Sequence, residues 1–144
     1  MIKFIPSKEQ DIDDLELSEV FEHKEALLYG KLAIGQGSPA ISIFNEKNKV
    51  IGIVGGMFLF PKVMEAFGLF SNEIKKYPKE FHKGVKEIAN GAFDSFHVHR
   101  IQFVVRADFL EGQRWAEALG FEAECVMQKY GPNGDDYVLF GRVK

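Results

Sequence analysis

The most constraining pattern in this chain is an apolar stripe between residues 78 and 96. Its apolar residues recur at steps of three and four, which places them on one face of an α-helix: Phe81, Val85, Ile88, Ala89, Ala92, Phe93 and Phe96. Pro78 lies in the first turn, where proline is tolerated. Gly84 and Gly91 lie inside the pattern, and each costs about 1 kcal/mol relative to alanine. The pattern therefore predicts one long helix that depends on tertiary packing for its stability.

Runs rich in β-branched and aromatic residues lie on both sides of this helix. Ala40–Phe44 and residues 50–54 are joined by a polar link, which is typical of a β-hairpin. Residues 57–60 and Val63–Phe70 follow as further strand segments. Residues 100–105 are almost wholly apolar, as in a central strand covered on both faces. The predicted long helix thus follows one strand and precedes another.

The N-terminal residues predict a short strand and two helices. Residues 1–5 have the composition of a strand, and Ser7 is predicted to cap a helix over residues 8–15. Residues 15–29 carry apolar residues at helical spacing. Gly30 is predicted to end this second helix, because glycine is common at helix C-termini.

The C-terminal residues predict a short helix and a hairpin. Asp108 stands three residues before Glu111, a pair that resembles a capping box, and the helix it opens is predicted to stop at Gly120. Residues 122–130 and 136–143 are predicted to form a last hairpin around the turn sequence Gly-Pro-Asn-Gly-Asp.

The order of the predicted elements is β, α, α, β, β, β, α, β, α, β, β. This order indicates an α/β (α+β) fold in which a mixed, mostly antiparallel central sheet has helices on both faces. We find no internal repeat, low-complexity segment or linker. The sequence therefore predicts one domain over residues 1–144.

Composition narrows the classes of partner. The net charge of −3, from 18 basic and 21 acidic residues, provides no basic footprint for nucleic acid. The N-terminus has no apolar stretch of signal-peptide length, and the longest apolar run, around residues 50–60, is too short to span a membrane. These features predict a cytoplasmic protein without a membrane partner. The single cysteine, Cys125, excludes an intramolecular disulfide and is expected to pack as a buried apolar residue. The 14 phenylalanines are expected mainly in the core, including Phe58, Phe60, Phe67 and Phe70.

Two histidines are candidate metal ligands. His97 and His99 would share a face if their segment were extended. Zinc normally takes three or four protein ligands, and no cysteine or acidic residue stands at a suitable spacing. The sequence therefore predicts no metal site, and His99 is interpreted as a residue at the start of a strand.

Three stretches of sequence resemble the GNAT superfamily of N-acetyltransferases. The first is Val-Val-Arg-Ala-Asp-Phe-Leu-Glu-Gly-Gln-Arg-Trp-Ala-Glu-Ala-Leu-Gly-Phe at residues 104–121, which resembles the superfamily's strand, short helix and closing Leu-Gly-Phe. The other two, Glu-Ala-Glu-Cys-Val-Met and Asp-Asp-Tyr-Val-Leu-Phe, are similar to its terminal hairpin. His99, Arg100, Trp115 and the turn at residues 130–135 are similar to GNAT-like proteins of tailed bacteriophages. The resemblance covers about residues 40–143.

The resemblance implies a fold, an activity and partners. It implies an acyl-CoA-dependent N-acetyltransferase that transfers the acetyl group of acetyl-CoA to the primary amine of a small molecule or protein. It implies Glu65 as the base that deprotonates the amine, and the hydroxyl of Tyr130 or Tyr137 as the acid for the leaving thiolate, with Tyr130 preferred. The alternatives are a solvated carboxylate at Glu65 and tyrosines that cover the edge of a core. It also implies a homodimer formed through the final hairpin.

The resemblance further implies where acetyl-CoA binds. The pantetheine would lie between Val63–Phe70 and residues 100–105. The residues assigned to cofactor binding are Leu69, Phe70, Ser71, Lys75, Lys76 and Tyr77. Backbone groups of the first three would pair with the pantetheine, and the lysines and the amides near Tyr77 would offset the charge of the phosphates. The alternative is that the two lysines are only solvent-exposed residues just before the start of the long helix.

Two departures from the superfamily bear on this activity. The superfamily's glycine-rich turn, which lets the backbone approach a pyrophosphate, is replaced by Ser-Asn-Glu-Ile-Lys-Lys-Tyr-Pro at residues 71–78. In the short helix, the superfamily's frequent Asn and Tyr are replaced by Phe109 and Ala116. The alternative function is therefore a catalytically inactive GNAT-like protein, encoded by a phage or prophage, that acts as a binding or virion component.

Overall fold

The computed structural model describes residues 1–19 and 25–144 of the chain. The elements are β1 (Lys3–Pro6), α1 (Glu9–Asp14), α2 (Glu25–Gly35), β2 (Ala40–Phe44), β3 (Val50–Phe60), β4 (Val63–Phe70), a 3₁₀ helix (Asn72–Lys76), α3 (Pro78–Ser95), β5 (Arg100–Arg106), α4 (Leu110–Ala118), β6 (Glu122–Met127) and β7 (Tyr137–Val143). Apart from the 3₁₀ helix, this is the predicted order.

The seven strands form one mixed sheet in the order β1-β2-β3-β4-β5-β7-β6. The pairs β1–β2, β2–β3, β5–β7 and β6–β7 are antiparallel, and β4 and β5 are parallel. Neighbouring residues at the end of β4 show helices on both faces. A Cβ built at Gly30 of α2 would lie 3.1 Å from Leu69, whereas the ring of the next residue, Phe70, packs 5.1 Å from that of Phe81 in α3. The predicted fold class is confirmed.

The chain divides into two compact units, Met1–Met57 with Ala66–Ile88 and Phe58–Glu65 with Ala89–Lys144. In the first unit, residues of α1, of β3 and β4 and the residue that follows α1 form a buried core cluster: Ile12, Leu15, Val50, Ile53 and Leu69. In the second unit, the ring of Phe103 packs against those of Phe121 and Phe140. The single domain over residues 1–144 stays a prediction.

The N-terminal helices differ in detail from the prediction. The first helix is confirmed, but Lys8 rather than Ser7 is its N-cap, and the Ser7 hydroxyl instead bonds the Ser42 hydroxyl at 2.7 Å. The second predicted helix was wrong at both ends. Residues 15–18 are not helical, and α2 continues past Gly30 to Gly35. Glycine is present at position 30 because the helix approaches Leu69 closely there. The part of the predicted helix at residues 20–24 lies outside the described residues.

Several residues expected in the core are exposed. Phe58 and Phe60 are 47% and 67% exposed, since β3 continues through its two glycines to the end of an 11-residue strand. Phe67 packs against the core of the first unit as expected. Cys125 is exposed because it lies on β6, the last strand in the sheet order. Among the described residues, no helix is both long and apolar enough to cross a membrane.

Candidate active site

The candidate base, Glu65, lies at the end of the parallel pairing between β4 and β5. This pairing joins Val63 with Arg100, Met64 with Ile101 and Glu65 with Gln102. Glu65 therefore lies on β4 directly beside Gln102 of β5.

The environment of Glu65 changes its proton affinity. The side chain is half-buried, and burial raises the pKa of its carboxyl above the usual value for a glutamate. Two groups act in the opposite direction: the Gln102 side-chain amide, which donates to Oε1 at 2.9 Å, and the positive charge of Arg100. A carboxylate with a raised pKa and one fixed hydrogen bond has the properties that a general base needs.

Gln102 was not among the predicted site residues. We interpreted residues 100–105 as covered on both faces, but in β5 only Ile101 is buried and the other residues are half-buried. The signal was present in the sequence, because Arg100 and Gln102 are polar residues two apart in an otherwise apolar strand. Such alternation places both side chains on one face of the sheet.

The backbone at the end of β4 is already partly occupied by the protein itself. The Ser71 amide donates to the Ile51 carbonyl of β3 at 3.0 Å, so the carbonyl on the other side of the same peptide, that of Phe70, points away from β3. This carbonyl accepts the amide of Ser18 at 2.8 Å. The buried Ser18 hydroxyl also donates to Asn72 Oδ1 at 2.8 Å. The chain's own backbone thus uses one of the groups predicted to pair with the pantetheine.

The backbone amides that follow β4 are also engaged. The Ser71 side chain caps the 3₁₀ helix and accepts the Glu73 amide at 3.1 Å. The Ile74 amide donates to the Ser71 carbonyl, and the Tyr77 amide donates to the Ile74 carbonyl. Pro78 has no amide hydrogen to offer. The amides of Glu73, Ile74 and Tyr77 are therefore bonded within the turns of this segment.

This segment carries charges of both signs, of which only the positive ones suit a phosphate. Lys75 and Lys76 are exposed, as required for contact with phosphates. The Glu73 carboxylate accepts Asn45 Nδ2 at 3.0 Å and Lys49 Nζ at 3.2 Å. The bond from Lys49 is the main reason that the pKa of Glu73 lies below its usual value. Glu73 is thus held as an anion beside the two candidate cations.

The remaining predicted residues lie in contrasting surroundings. Leu69 and Ser71 are buried. Tyr77 is half-buried, and burial, reinforced by nearby glutamates, raises the pKa of its hydroxyl. Tyr130 is 56% exposed, and its ring packs 5.5 Å from that of Tyr137 in an edge arrangement.

The sheet register separates Tyr130 from Glu65. Tyr137, which contacts Tyr130, pairs with Arg106, whereas Glu65 pairs with Gln102. Four residues of a strand span about 13 Å. The register thus separates Glu65 from the residue that packs against Tyr130 by roughly that length along β5. No group of three or more potential metal ligands occurs among the residues that the structure describes.

Comparison with known proteins gives a clear result for the fold. The sequence matches no family model and no curated protein. Solved structures do match. A GNAT-family acetyltransferase from Bacillus anthracis is 14% identical with a TM-score of 0.75, over 99% of this chain and 94% of that one. A variant of spermidine N-acetyltransferase from Vibrio cholerae is 12% identical with a TM-score of 0.71, over 99% and 93%.

A third similar structure is the ribosomal-protein-S5-alanine acetyltransferase from Vibrio fischeri. It is 16% identical, with a TM-score of 0.73 over 99% of this chain and 92% of that one. The chain therefore has the fold of GNAT acetyltransferases. At such low identity the likeness extends to the fold alone, because one fold can carry different functions.

Proposed function

We propose that this chain is an acetyl-CoA-dependent N-acetyltransferase that acts on a primary amine. The observation that carries the proposal is the position of Glu65. A half-buried carboxylate with a raised pKa lies at the last pair of the parallel ladder, in a chain with the GNAT fold. The amine class is supported by two structural neighbours, whose names specify spermidine and a protein alanine as substrates.

Glu65 supplies the proton transfer in this proposal. A primary amine is protonated at neutral pH and must lose a proton before it can attack a carbonyl carbon. Glu65 takes this proton directly or through one water, and the hydrogen bond from Gln102 orients the accepting carboxylate. Acetyl-CoA supplies an activated acetyl group as a thioester. Tyr130 stays the predicted acid for the thiolate, although its exposure gives it less support than Glu65 has.

The residues present fit acetyl-CoA in part. A pyrophosphate held by backbone amides does not fit the segment after β4, because the amides of Glu73, Ile74 and Tyr77 are bonded within their own turns. Two exposed cations, Lys75 and Lys76, fit the phosphates electrostatically. We therefore assign coenzyme affinity mainly to these lysines.

The alternative proposal is a GNAT-shaped binding domain without transferase activity. It is supported by the bond from the Ser18 amide to the Phe70 carbonyl and by the anionic Glu73 beside the lysines. In this case the acetyl-CoA site is replaced by internal contacts, and the protein serves as a binding or virion component. The phage origin and the homodimer implied by the resemblance stay predictions.

Calorimetric titration with acetyl-CoA and with free CoA separates the two proposals. The enzyme proposal expects micromolar binding, which corresponds to about −8 kcal/mol. The double variant Lys75→Ala with Lys76→Ala is expected to bind roughly tenfold more weakly, since it removes two charges from the phosphate contacts. The control is Lys83→Ala with Lys86→Ala, which removes two exposed lysines from α3. Absence of binding at millimolar ligand would favour the binding domain.

If turnover is detected, Glu65→Gln tests the base. The change keeps the size of the side chain and its ability to accept from Gln102, but removes the proton acceptor. We expect turnover to fall by ~10²-fold or more with little change in acetyl-CoA affinity. An unchanged rate would remove Glu65 from the mechanism.

A further inference from the structure

A row of hydrogen-bonded polar side chains joins three strands of the second unit, β4, β5 and β6. Gln102 donates from Nε2 to Glu65 Oε1 at 2.9 Å and accepts from Arg100 Nε at 2.8 Å through its own Oε1. Arg100 also donates from both terminal nitrogens to the two carboxylate oxygens of Glu124, one of them at 3.0 Å. The row thus runs from β4 through β5 to β6, with one neutral amide between two charged groups.

The neighbours of Gln102 determine which end of its amide faces Glu65. A guanidinium has only donors, so the amide oxygen must face Arg100. The NH₂ group then faces Glu65 and can only donate, which requires Glu65 to accept. An amide placed between two carboxylates or two cations could not be oriented in this way. Arg100 therefore sets the direction of the hydrogen bond that Glu65 receives.

Gly141 leaves the space that Arg100 and Glu124 need. β7 lies between β5 and β6 in the sheet, and Gly141 pairs with Gln102 on one side. A Cβ built at Gly141 would lie 2.6 Å from Glu124 Oε2 and 2.9 Å from Arg100 Nη2. The ion pair therefore passes directly over the backbone of β7 at its glycine, and any larger residue there would displace it.

We propose that Gln102 is a positioning residue for Glu65. Arg100 forms an ion pair with Glu124 above the backbone at Gly141. Fixed in this way, Arg100 holds the Gln102 amide in the orientation that donates to Glu65. The inference rests on the proposed function only for the role of Glu65 as a base. The row itself makes a second prediction, independent of acetyl-CoA, about how Glu65 titrates.

The direction of that prediction follows from the charges present. Burial disfavours the ionised form of Glu65, whereas the Gln102 amide and the charge of Arg100 favour it, and Glu124 lies behind Arg100 in the row. If the Gln102 donor is lost or Arg100 is displaced, less remains to offset the rise that burial causes in the pKa of Glu65. In both cases Glu65 should hold its proton to a higher pH.

The test is a titration followed by carbon-detected NMR of the Glu65 side-chain carboxyl, assigned by its loss in Glu65→Gln. In the unaltered protein, the side-chain amide protons of Gln102 should shift with the same midpoint as the Glu65 carboxyl. In Gln102→Leu, which is similar in size but has no donor, the midpoint for Glu65 should rise by about one pH unit. The proposal would be overturned if the Gln102 amide protons did not shift during the titration, or if the Glu65 midpoint were unchanged in Gln102→Leu.

Two further variants separate positioning from a general change of charge. Gly141→Ala keeps every group of the row but occupies the space of the ion pair, and it should raise the Glu65 midpoint by a smaller amount. Glu122→Gln is the control, since it removes an exposed carboxylate from the same strand as Glu124. An unchanged midpoint in a folded Gly141→Ala variant would remove Arg100 and Glu124 from the proposal. A midpoint altered by Glu122→Gln would show that net charge, not position, governs Glu65.

The outcomes for this inference and for the proposed function can be told apart. Coupled titration without acetyl-CoA binding would support the role of the polar row and refute the proposed transferase activity. Acetyl-CoA binding without coupled titration would support the transferase activity and refute the role of the row. Where turnover exists, the acidic limb of the kcat/KM profile, which reports the free enzyme, should move to higher pH in Gln102→Leu by the same amount as the NMR midpoint.

Discussion

Two glycines in α3 provide a matched test of how this helix packs. Both interrupt a helix interior, where alanine is better than glycine by about 1 kcal/mol. Their surroundings differ. Apart from its chain neighbours and the backbone of its own helix, none of the described residues has an atom within 4 Å of a Cβ built at Gly91. One built at Gly84 would overlap Phe4 Cζ and lie 2.5 Å from Phe4 Cε1. Gly91→Ala and Gly84→Ala therefore share the propensity gain and differ in the contact.

The expected magnitudes follow from these distances. Gly91→Ala should raise the free energy of unfolding by about 1 kcal/mol, or raise Tm by roughly 3 °C in a chain of this size. In Gly84→Ala the half-buried ring of Phe4 must move by more than an ångström. Overpacking of this kind costs ~1–3 kcal/mol, which cancels or exceeds the propensity gain. Gly84→Ala should therefore be less stable than Gly91→Ala by at least about 1 kcal/mol.

Urea unfolding followed by circular dichroism measures both variants against the unaltered protein. A third variant, Phe4→Leu in the Gly84→Ala background, removes the clashing ring atoms and should recover part of the loss. The coupling between positions 4 and 84 then appears as non-additivity in a double-mutant cycle. If Gly84→Ala proves as stabilising as Gly91→Ala, or if the two positions are additive, the packing of α3 against β1 is wrong.

Two other predictions concern stability. Because burial raises the pKa of Glu65, the folded protein holds this proton more tightly than the unfolded chain, so the free energy of unfolding falls as pH rises through that interval. Glu65→Gln removes the effect, so the two proteins should have similar urea midpoints near pH 4, with the variant more stable near pH 7. If the urea midpoints of the two proteins instead changed with pH in parallel, the buried location of Glu65 would be contradicted. Gly55→Ala should cost ~2 kcal/mol or more, since its Cβ would lie 2.5 Å from Phe67 Cζ and 2.9 Å from the Pro39 carbonyl oxygen, which is backbone and cannot swing away. Wild-type stability in Gly55→Ala would show that β2 and β3 are further apart at this point.

Local patterns predicted the strands and the long helix well. The bounds of Ala40–Phe44 and Val63–Phe70 are those of the structure, and α3 spans Pro78–Ser95 as its apolar stripe indicates. These elements are governed by periodicity and turn residues, which are local properties. The error at Gly30 has a different cause. Glycine there allows α2 to approach Leu69, a residue 39 positions away, and no local pattern reports such a contact.

The candidate site was predictable only where chemistry and local sequence coincide. Glu65 could be proposed because the resemblance places the base on this strand, and Glu65 is the acidic residue of the strand. Gln102 could not be assigned a partner, since the hydrogen bond joins residues 37 positions apart and depends on the register of β4 against β5. The same applies to the contact between Ser18 and Phe70, which links the segment after α1 to the end of β4. Pairings of this kind follow from the sheet as a whole.

Two features at the end of β4 bear on coenzyme binding: the replaced glycine-rich turn and the engaged Phe70 carbonyl. The segment after β4 uses its amides in a 3₁₀ helix instead of a glycine-rich turn, and the Phe70 carbonyl beside it accepts from Ser18. Both features engage backbone groups that the proposed coenzyme site would otherwise use, whereas the hydrogen bond between Gln102 and Glu65 involves neither. In the proposed enzyme, coenzyme affinity is therefore assigned to the side-chain charges of Lys75 and Lys76. Contacts of that kind weaken with added salt far more than amide contacts do, so the salt dependence of acetyl-CoA binding reports directly on which groups hold the phosphates.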